Sequence, residues 1–409
     1  MRIGIFSYVL RTGGTEKVIA RLSHVWSALG HEIVFFTHSE PEALEFDHEC
    51  VARECKKNGE WDVFDAKGYQ EKYRLDLVVF NGRWNAPSTA PLVKQFKKDG
   101  VATMVILHHA MNNWAFFGGN SEDFDKGEIF RNLDCLVCVD KVQAFWWSRR
   151  FANVFYIPNP VSIGVDSGVS NRDAPGNSLV WVGRADDLGK RVELAIAAFR
   201  LIKAKVPDAT LSVIGLKPRG KLVKYPGLEY IGRVRDTRPY LERAAVNLLT
   251  TLWEVTVPQA VLEAGAMGLP TVAMDLPVLR NYSGDGAAVG GLVLANDVPE
   301  MAEKVVELLQ DEAKRRILGA AARKDVEKRA DPKVVGTRWA GLLDAIAQKR
   351  LADYAAESKR EYETLEVARA LIDEIQRSEA FMVKTQVPVL NKIRRWQARW
   401  NHLKKMVRL

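Results

Sequence analysis

The sequence predicts an α/β chain of two doubly wound parallel sheets, followed by a helical extension. Three observations lead there. Short apolar runs such as "RIGIFSY", "LDLVVFN" and "ATMVILHH" alternate with amphipathic stretches such as "GGTEKVIARLSHVWSALG", the rhythm of strand and helix units in a parallel sheet. That rhythm breaks at "IPNPVSIGVDSGVSNRDAPGNS", rich in Pro, Gly, Ser and Asn, and then resumes. A chain of 409 residues also exceeds one ordinary core, so two domains of about 150 to 200 residues are expected.

The first domain, residues 1–160, reads strand by strand as "RIGIFSY", "HEIVFFTH", "LDLVVFN", "ATMVILHH", "LDCLVCVD" and "NVFYIPNPV", with helices at "GGTEKVIARLSHVWSALG", "APLVKQFKKDG" and "KVQAFWWSRRF". Ligands of such sheets sit at the carboxyl ends of the strands, which selects the loops starting at Leu10, Asn81 and His108. The second domain, 161–347, repeats the pattern with "LVWVGRADD", "KRVELAIAAFRLIKAKVP", "ATLSVIG", "LEYIGRV", "TRPYLERA", "AVNLLTT" and "PTVAMD", and closes with long helices from Pro299. Two such halves joined by a linker create a cleft, a preferred place for small ligands.

The extension, 348–409, differs. From 348 to about 384 it reads as a long polar helix with a narrow apolar stripe of Leu351, Ala355, Tyr362, Leu365, Leu371, Ile372 and Ile375, a possible oligomer contact. Beyond Pro388, residues Leu390, Ile393, Trp396, Trp400, Leu403 and Val407 recur every three or four positions among Arg394, Arg395, Arg399 and Lys404. This is a cationic amphipathic helix suited to an anionic membrane surface. An alternative is packing on the body or on another subunit.

Charge follows the same division. The formal net charge of +8 equals the eight basic residues after Glu379, where no acidic residue occurs, so the body is neutral. Nucleic acid is therefore not expected as a partner, because no basic face extends the tail. No 18-residue apolar run and no signal-peptide pattern is read, and the expected location is cytoplasmic, peripheral on the inner face of the membrane. Four cysteines do not make a disulfide framework. Cys135 and Cys138 form a CxxC within an apolar strand, where their spacing points them to opposite faces as a buried structural pair. His48, Cys50 and Cys55 lack a second ligand pair, and no metal site is expected.

Three stretches carry chemistry. In "VWVGRADDLGKRVELAIAAF", Arg184 and Lys190 stand in a strand-to-helix loop, where two cations near a helix start suit a diphosphate leaving group. Solvated surface cations are the plainer alternative. In "RTGGTEKV", Gly13 and Gly14 allow close backbone approach to a ligand, or simply form a tight turn. In "LWEVTVPQAVLEAGAMGLPTVAMD", Glu263 sits early in a helix, placed for a ribose hydroxyl or only for the helix dipole.

Together with "IPNPV", these stretches resemble glycosyltransferase family 4, a retaining family with the GT-B fold of two Rossmann-like domains facing a cleft. The resemblance covers about Met1 to Ala347. It implies that Arg184 and Lys190 bind the diphosphate of a nucleotide sugar, that Glu263 binds the ribose, and that backbone near Arg233 and Val234 meets the base. Gly13, Gly14 and Val257 complete the implied donor wall. His108, with His109 as the alternative, matches the family's His beside the transferred sugar and acceptor, where imidazole can bond a hydroxyl or relay a proton. The family separates its paired Glu residues by seven, which falls on Val255. Either a one-residue bulge brings Glu254 into that place, or the sugar-side Glu is lost. The implied activity is retaining transfer to a cell-surface glycan or lipid-linked acceptor, without cofactor or metal. The alternative is a catalytically weak subunit that binds glycan or supports a partner enzyme.

Overall fold

The computed structural model describes residues 1–7, 14–37, 52–55, 61, 63–81, 89–108, 129, 132–161, 176–187, 189–218, 222–252, 254, 256–280 and 290–373. Two parallel sheets organise them. The first has seven strands, β1 (Arg2–Ser7), β2 (Glu32–Thr37), β3 (Ala52–Cys55), β4 (Leu77–Asn81), β5 (Ala102–Leu107), β6 (Cys135–Cys138) and β7 (Val154–Tyr156), in the order β3-β2-β1-β4-β5-β6-β7. The second has six, β8 (Ser178–Val182), β9 (Thr210–Ile214), β10 (Leu228–Gly232), β11 (Val246–Leu249), β12 (Thr271–Met274) and β13 (Leu292–Ala295), in the order β10-β9-β8-β11-β12-β13. Both are doubly wound and reverse direction beside their first strand, so each has a switch point whose loops diverge into a crevice. Those points lie between β1 and β4 and between β8 and β11. The sequence reading found neither β3 nor β13, which are edge strands of four residues each.

Both faces of each sheet are covered, which is why the strands read as continuous apolar runs. Ile3, Ile5, Phe35 and Val79 enter one core of the first sheet, while Phe6, Phe36, Val78 and Phe80 enter the other. Phe6 stacks on Phe36 with centroids 4.4 Å apart. Cys135 belongs to the first core and Cys138 to the second, both reduced and buried. Burial raises both thiols well above their ordinary range, so they are inert packing groups, as the spacing predicted.

The chain crosses between the domains twice. At the first crossing Val161 is buried in the second domain, and its amide donates to the Ala330 carbonyl at 2.8 Å. The second crossing begins there. Asp331 caps α11 (Pro332–Ala347) by accepting from the Lys333 amide at 2.7 Å. Helix α11 returns to the first sheet and packs along α1 (Gly14–Ala28), with Trp339 edge-on to Trp26 at 4.9 Å. Val335, Trp339, Leu342 and Leu343 thereby join the core of Ile3, Ile5 and Val18.

The single long helix expected over 348–384 is not what forms. Helix α12 (Leu351–Lys359) follows a turn at Lys349, whose φ is 57°, and ends at Arg360. Helical structure resumes at 365–373, after Thr364 caps it by accepting from the Val367 amide at 3.3 Å. The break exists because Tyr362 plunges into the first domain, where it is fully buried and its hydroxyl donates to the Val154 carbonyl at 2.9 Å. Glu361 takes Arg338 at 2.7 Å and Lys141 at 3.9 Å, and Glu363 accepts from Ser148 at 2.9 Å. Ala355, Val367, Ala368 and Leu371 are buried, whereas Leu365 and Ile372 remain exposed. The stripe offered for an oligomer is thus largely used within the chain. Residues 374–409, which include Arg394, Arg395, Trp396, Arg399, Trp400 and Lys404, lie outside the described residues. Among the described residues no helix is long and apolar enough to cross a membrane.

Asp140 gives a direct test of the first domain. It caps α4 (Lys141–Ser148) by accepting from the Gln143 amide at 3.1 Å, and burial raises its carboxyl to about 6. The folded chain then holds this proton more tightly than the unfolded chain, so Asp140 makes stability fall as pH rises from about 4 to about 6. Asp140→Asn keeps a capping oxygen and is expected to flatten that part of the profile, read as the unfolding midpoint from pH 4 to 7.

Candidate active site in the interdomain cleft

At the carboxyl ends of β8, β9 and β10 stand three glycines, Gly183, Gly215 and Gly232. Gly215 and Gly232 have φ of +123° and +86°, and a Cβ on Gly215 would lie 1.9 Å from the Gly183 carbonyl oxygen. Side chains are excluded here so that neighbouring turns can touch. The Gly183 amide donates to Ile214 at 2.9 Å, the Gly215 amide to Gly232 at 2.8 Å, and the Ala185 amide to Leu216 at 3.0 Å. The sequence signals this only through Gly residues that end apolar runs.

The loop after β8 is then fixed to the loop after β11. The Leu252 amide and the Thr251 hydroxyl donate to the Gly189 carbonyl at 2.9 and 3.2 Å. The Thr250 hydroxyl donates to the Lys190 carbonyl at 3.0 Å and accepts from the Trp181 indole at 3.0 Å. Within the loop, Asp187 accepts from the Gly189 amide at 2.8 Å. Lys190 is thereby presented at the start of α5 (Val192–Lys205), where it ion-pairs with Glu254. Arg184 is about half exposed, with Asp186 at 3.4 Å. Two cations, Arg184 and Lys190, and the carboxylates paired with them, Asp186 and Glu254, therefore share the second sheet's switch point. Glu254 is part of that group, and its carboxylate reaches the loop after β8 although it precedes the expected position; Val255 lies outside the described residues.

Helix α7 (Gln259–Ala266) begins after Pro258 and carries Glu263 in its second turn. Its carboxylate is 2% exposed. Oε2 accepts from the buried Thr237 hydroxyl at 2.7 Å, and Oε1 lies 3.7 Å from the Lys17 ammonium. The Val257 side chain is 1% exposed and packs with Val161, Leu249 and Val261. Arg233 is exposed, and Val234 packs partly on the cluster of Leu241, Ala264 and Met267.

The opposite wall is the first turn of α1. Gly14 is exposed there, and Gly13 lies outside the described residues. The sequence reading assigned no site role to Glu16 and Lys17. Burial raises the Glu16 carboxyl above its ordinary range, and Arg184 of the other domain works against that rise. Lys17 reaches Glu263, and its field adds to the lowering of Asp236, which comes mainly from Arg238. The domains are also joined behind the site, where Gln259 donates to the Pro160 carbonyl at 2.9 Å. In the first sheet, Ser7 and Asn81 meet at the ends of β1 and β4, with the Asn81 amide 3.4 Å from the Ser7 hydroxyl. His108 follows β5 and is half-buried, while His109 is outside the described residues. Asn81 and His108 thus lie where the sheet rule placed them. Among the described residues, no three His, Cys, Asp or Glu side chains converge to hold a metal ion.

Two parallel doubly wound sheets with a charged switch point facing a second domain define the GT-B class. Residues 176–311 match the family described as Glycosyl transferases group 1. It is 29% identical over 206 residues to a phosphatidyl-myo-inositol mannosyltransferase of Mycolicibacterium smegmatis, a match covering 47% of this chain and 52% of the relative. The chain thus spans about half the length of that curated relative. Among solved structures, sucrose-phosphate synthase from Thermosynechococcus elongatus superposes with a TM-score of 0.67 at 18% identity, over 85% of this chain and all of the other. Anabaena HepE in complex with UDP-glucose gives 0.67 at 14%, over 84% and 100%. These likenesses establish the fold.

The glycine row makes a sharp prediction. Gly215→Ala forces the Gly183 turn to move and strains the backbone at positive φ, at a cost of at least about 2 kcal/mol. The unfolding midpoint is expected to fall; an unchanged midpoint would contradict the described contact.

Proposed function

We propose that the chain is a retaining glycosyltransferase that moves a hexose-type sugar from a nucleotide diphosphate donor to a cell-surface glycan or lipid-linked acceptor. The observation that carries this reading is the meeting of Arg184, Lys190 and Glu254 at the switch point of the second sheet, with Glu263 on the adjoining helix. A diphosphate at Arg184 and Lys190 is neutralised as it departs, so the charge that develops in the transition state is met by fixed cations. Glu263 receives the ribose hydroxyls, and backbone at Arg233 and Val234 meets the base. The bond from the anomeric carbon to the diphosphate oxygen breaks, and the acceptor oxygen bonds the same carbon on the same face. The acceptor's proton passes to the departing phosphate oxygen, with His108 placed to bond a hydroxyl of the sugar or acceptor.

Arg184 and Lys190 supply the positive charge that a metal supplies in other transferases, so we take the reaction to need no metal or other cofactor. The Lys190 and Glu254 pair puts a carboxylate into the donor loop, and nothing in the site favours the alternative of a catalytically weak subunit. The mycobacterial relative is named for a phosphatidylinositol acceptor, which supports an acceptor held at a membrane. The basic amphipathic segment with Arg394, Arg395, Trp396, Arg399, Trp400 and Lys404 then docks the enzyme on anionic lipid, on the cytoplasmic face.

Thermal-shift screening of nucleoside diphosphates, followed by sugar-transfer assays, tests the donor site. One nucleoside diphosphate is expected to stabilise the chain. Lys190→Met is expected to lower kcat about 100-fold, and Glu263→Gln to raise the donor KM about tenfold, with wild-type turnover unchanged by a chelator. The absence of a shift with every nucleoside diphosphate would sink the assignment. Sedimentation with vesicles containing anionic lipid separates the membrane claim: the full chain is expected to partition and a chain lacking 385–409 to stay in solution. Equal partitioning of the two would remove it.

A further inference from the structure

Trp181 lies on β8, at the foot of the loop that carries Arg184 and Lys190, and is 2% exposed. A buried indole N–H must find an acceptor, and this one donates to the Thr250 hydroxyl at 3.0 Å. A hydroxyl has a single proton, and Thr250 donates it to the Lys190 carbonyl at 3.0 Å. The indole thus fixes which way that proton points. The far edge of the ring meets the start of the loop, since a Cβ on Gly183 would lie 2.9 Å from Cη2 of Trp181 and 3.3 Å from its Cζ2 and Cζ3. Between these two ends the backbone bridges the loop in two steps: the Asp187 amide donates to the Arg184 carbonyl and the Lys190 amide to the Asp187 carbonyl, both at 3.0 Å. Ala185 and Val192 share the buried cluster of Trp181. Gly183, Arg184, Asp187, Lys190, Thr250 and Trp181 therefore close a ring of contacts, and a rigid indole is its base.

We propose that Trp181 is a positioning residue of the donor site, setting the separation of Arg184 and Lys190 so that both meet one diphosphate. This rests on the donor-site reading above. Each cation ends a flexible stem, so what the ring of contacts fixes is the pair of backbone points from which the two stems start. With those points held, the two charges converge on neighbouring phosphates at little further cost in entropy. With the Lys190 carbonyl released, the second cation must be gathered in on binding. Trp181 touches neither nucleotide nor sugar, and its effect falls on the diphosphate alone. The base and ribose are assigned to Arg233, Val234 and Glu263, which stand outside the ring.

Thr250→Val, Thr250→Ser and Trp181→Phe are compared with wild type by isothermal titration against UDP, GDP and ADP and by saturation-transfer NMR with the matching nucleosides, at a temperature where circular dichroism shows each chain folded. Thr250→Val removes the hydroxyl and keeps the shape, whereas Trp181→Phe removes the indole N–H and the outer ring; if one does not fold, the other carries the test. Both are expected to weaken the preferred nucleoside diphosphate about tenfold, with the matching nucleoside bound within about twofold of wild type. Thr250→Ser keeps the hydroxyl and is expected to hold the diphosphate within about threefold of wild type. A diphosphate affinity unchanged in either variant, an equal weakening of nucleoside and diphosphate, or a Thr250→Ser chain as weak as Thr250→Val would each overturn the proposal while leaving the donor site in place. Wild type that binds no nucleoside diphosphate overturns the donor site as well.

Discussion

The site depends on the bonds that Thr250 and Thr251 make to the carbonyls of Lys190 and Gly189. A strand-to-helix loop carrying two cations would otherwise be a floppy surface feature, and flexible charges lose much of their value to solvent and entropy. Buried hydroxyls on the adjacent strand turn the loop into a fixed wall. The sheet topology explains why they can do so. At the switch point the β8 and β11 loops leave their strands as neighbours, and the polar residues that end β11 are the nearest groups able to satisfy the β8 loop's carbonyls.

The same logic of shared groups spans the cleft. Three of the charged residues assigned to the donor have an opposite charge nearby: Arg184 lies in the field of Glu16, Lys190 pairs with Glu254, and Glu263 approaches Lys17. Two of these three counter-charges come from a single helical turn of the other domain. Burying isolated charges is costly, and this arrangement keeps a highly charged crevice stable.

Much of this was legible in the sequence because parallel strands declare themselves as apolar runs, and because Gly-Arg with a following Lys marks a loop after a strand. The opposite-facing pair Cys135 and Cys138 followed from strand periodicity alone. What stayed hidden were long-range relations. Glu16 and Lys17 stand in plain view beside Gly13 and Gly14, yet their importance lies in residues of the second domain. Val257 reads as part of a ligand loop, but the apolar cluster that claims it is assembled from Val161, Leu249 and Val261. The break in the extension was illegible for the same reason. A polar helical pattern from 348 onward is locally consistent, and only Tyr362 finding a place beneath Val154 explains why the helix stops.

The return of α11 and the segment around Tyr362 to the first sheet bears on how the protein is made. Until Trp339 and Tyr362 have been synthesised, the first domain lacks the side chains that cover Trp26, Ile3 and Ile5 and fill the space beside Val154. At a synthesis rate of about 5 to 20 residues per second, roughly 10 to 40 s separate the end of its last strand from the arrival of this cover. The domain that emerges first from the ribosome is therefore the last to be finished. The second domain, whose sheet is continuous in sequence, can close while its predecessor still waits.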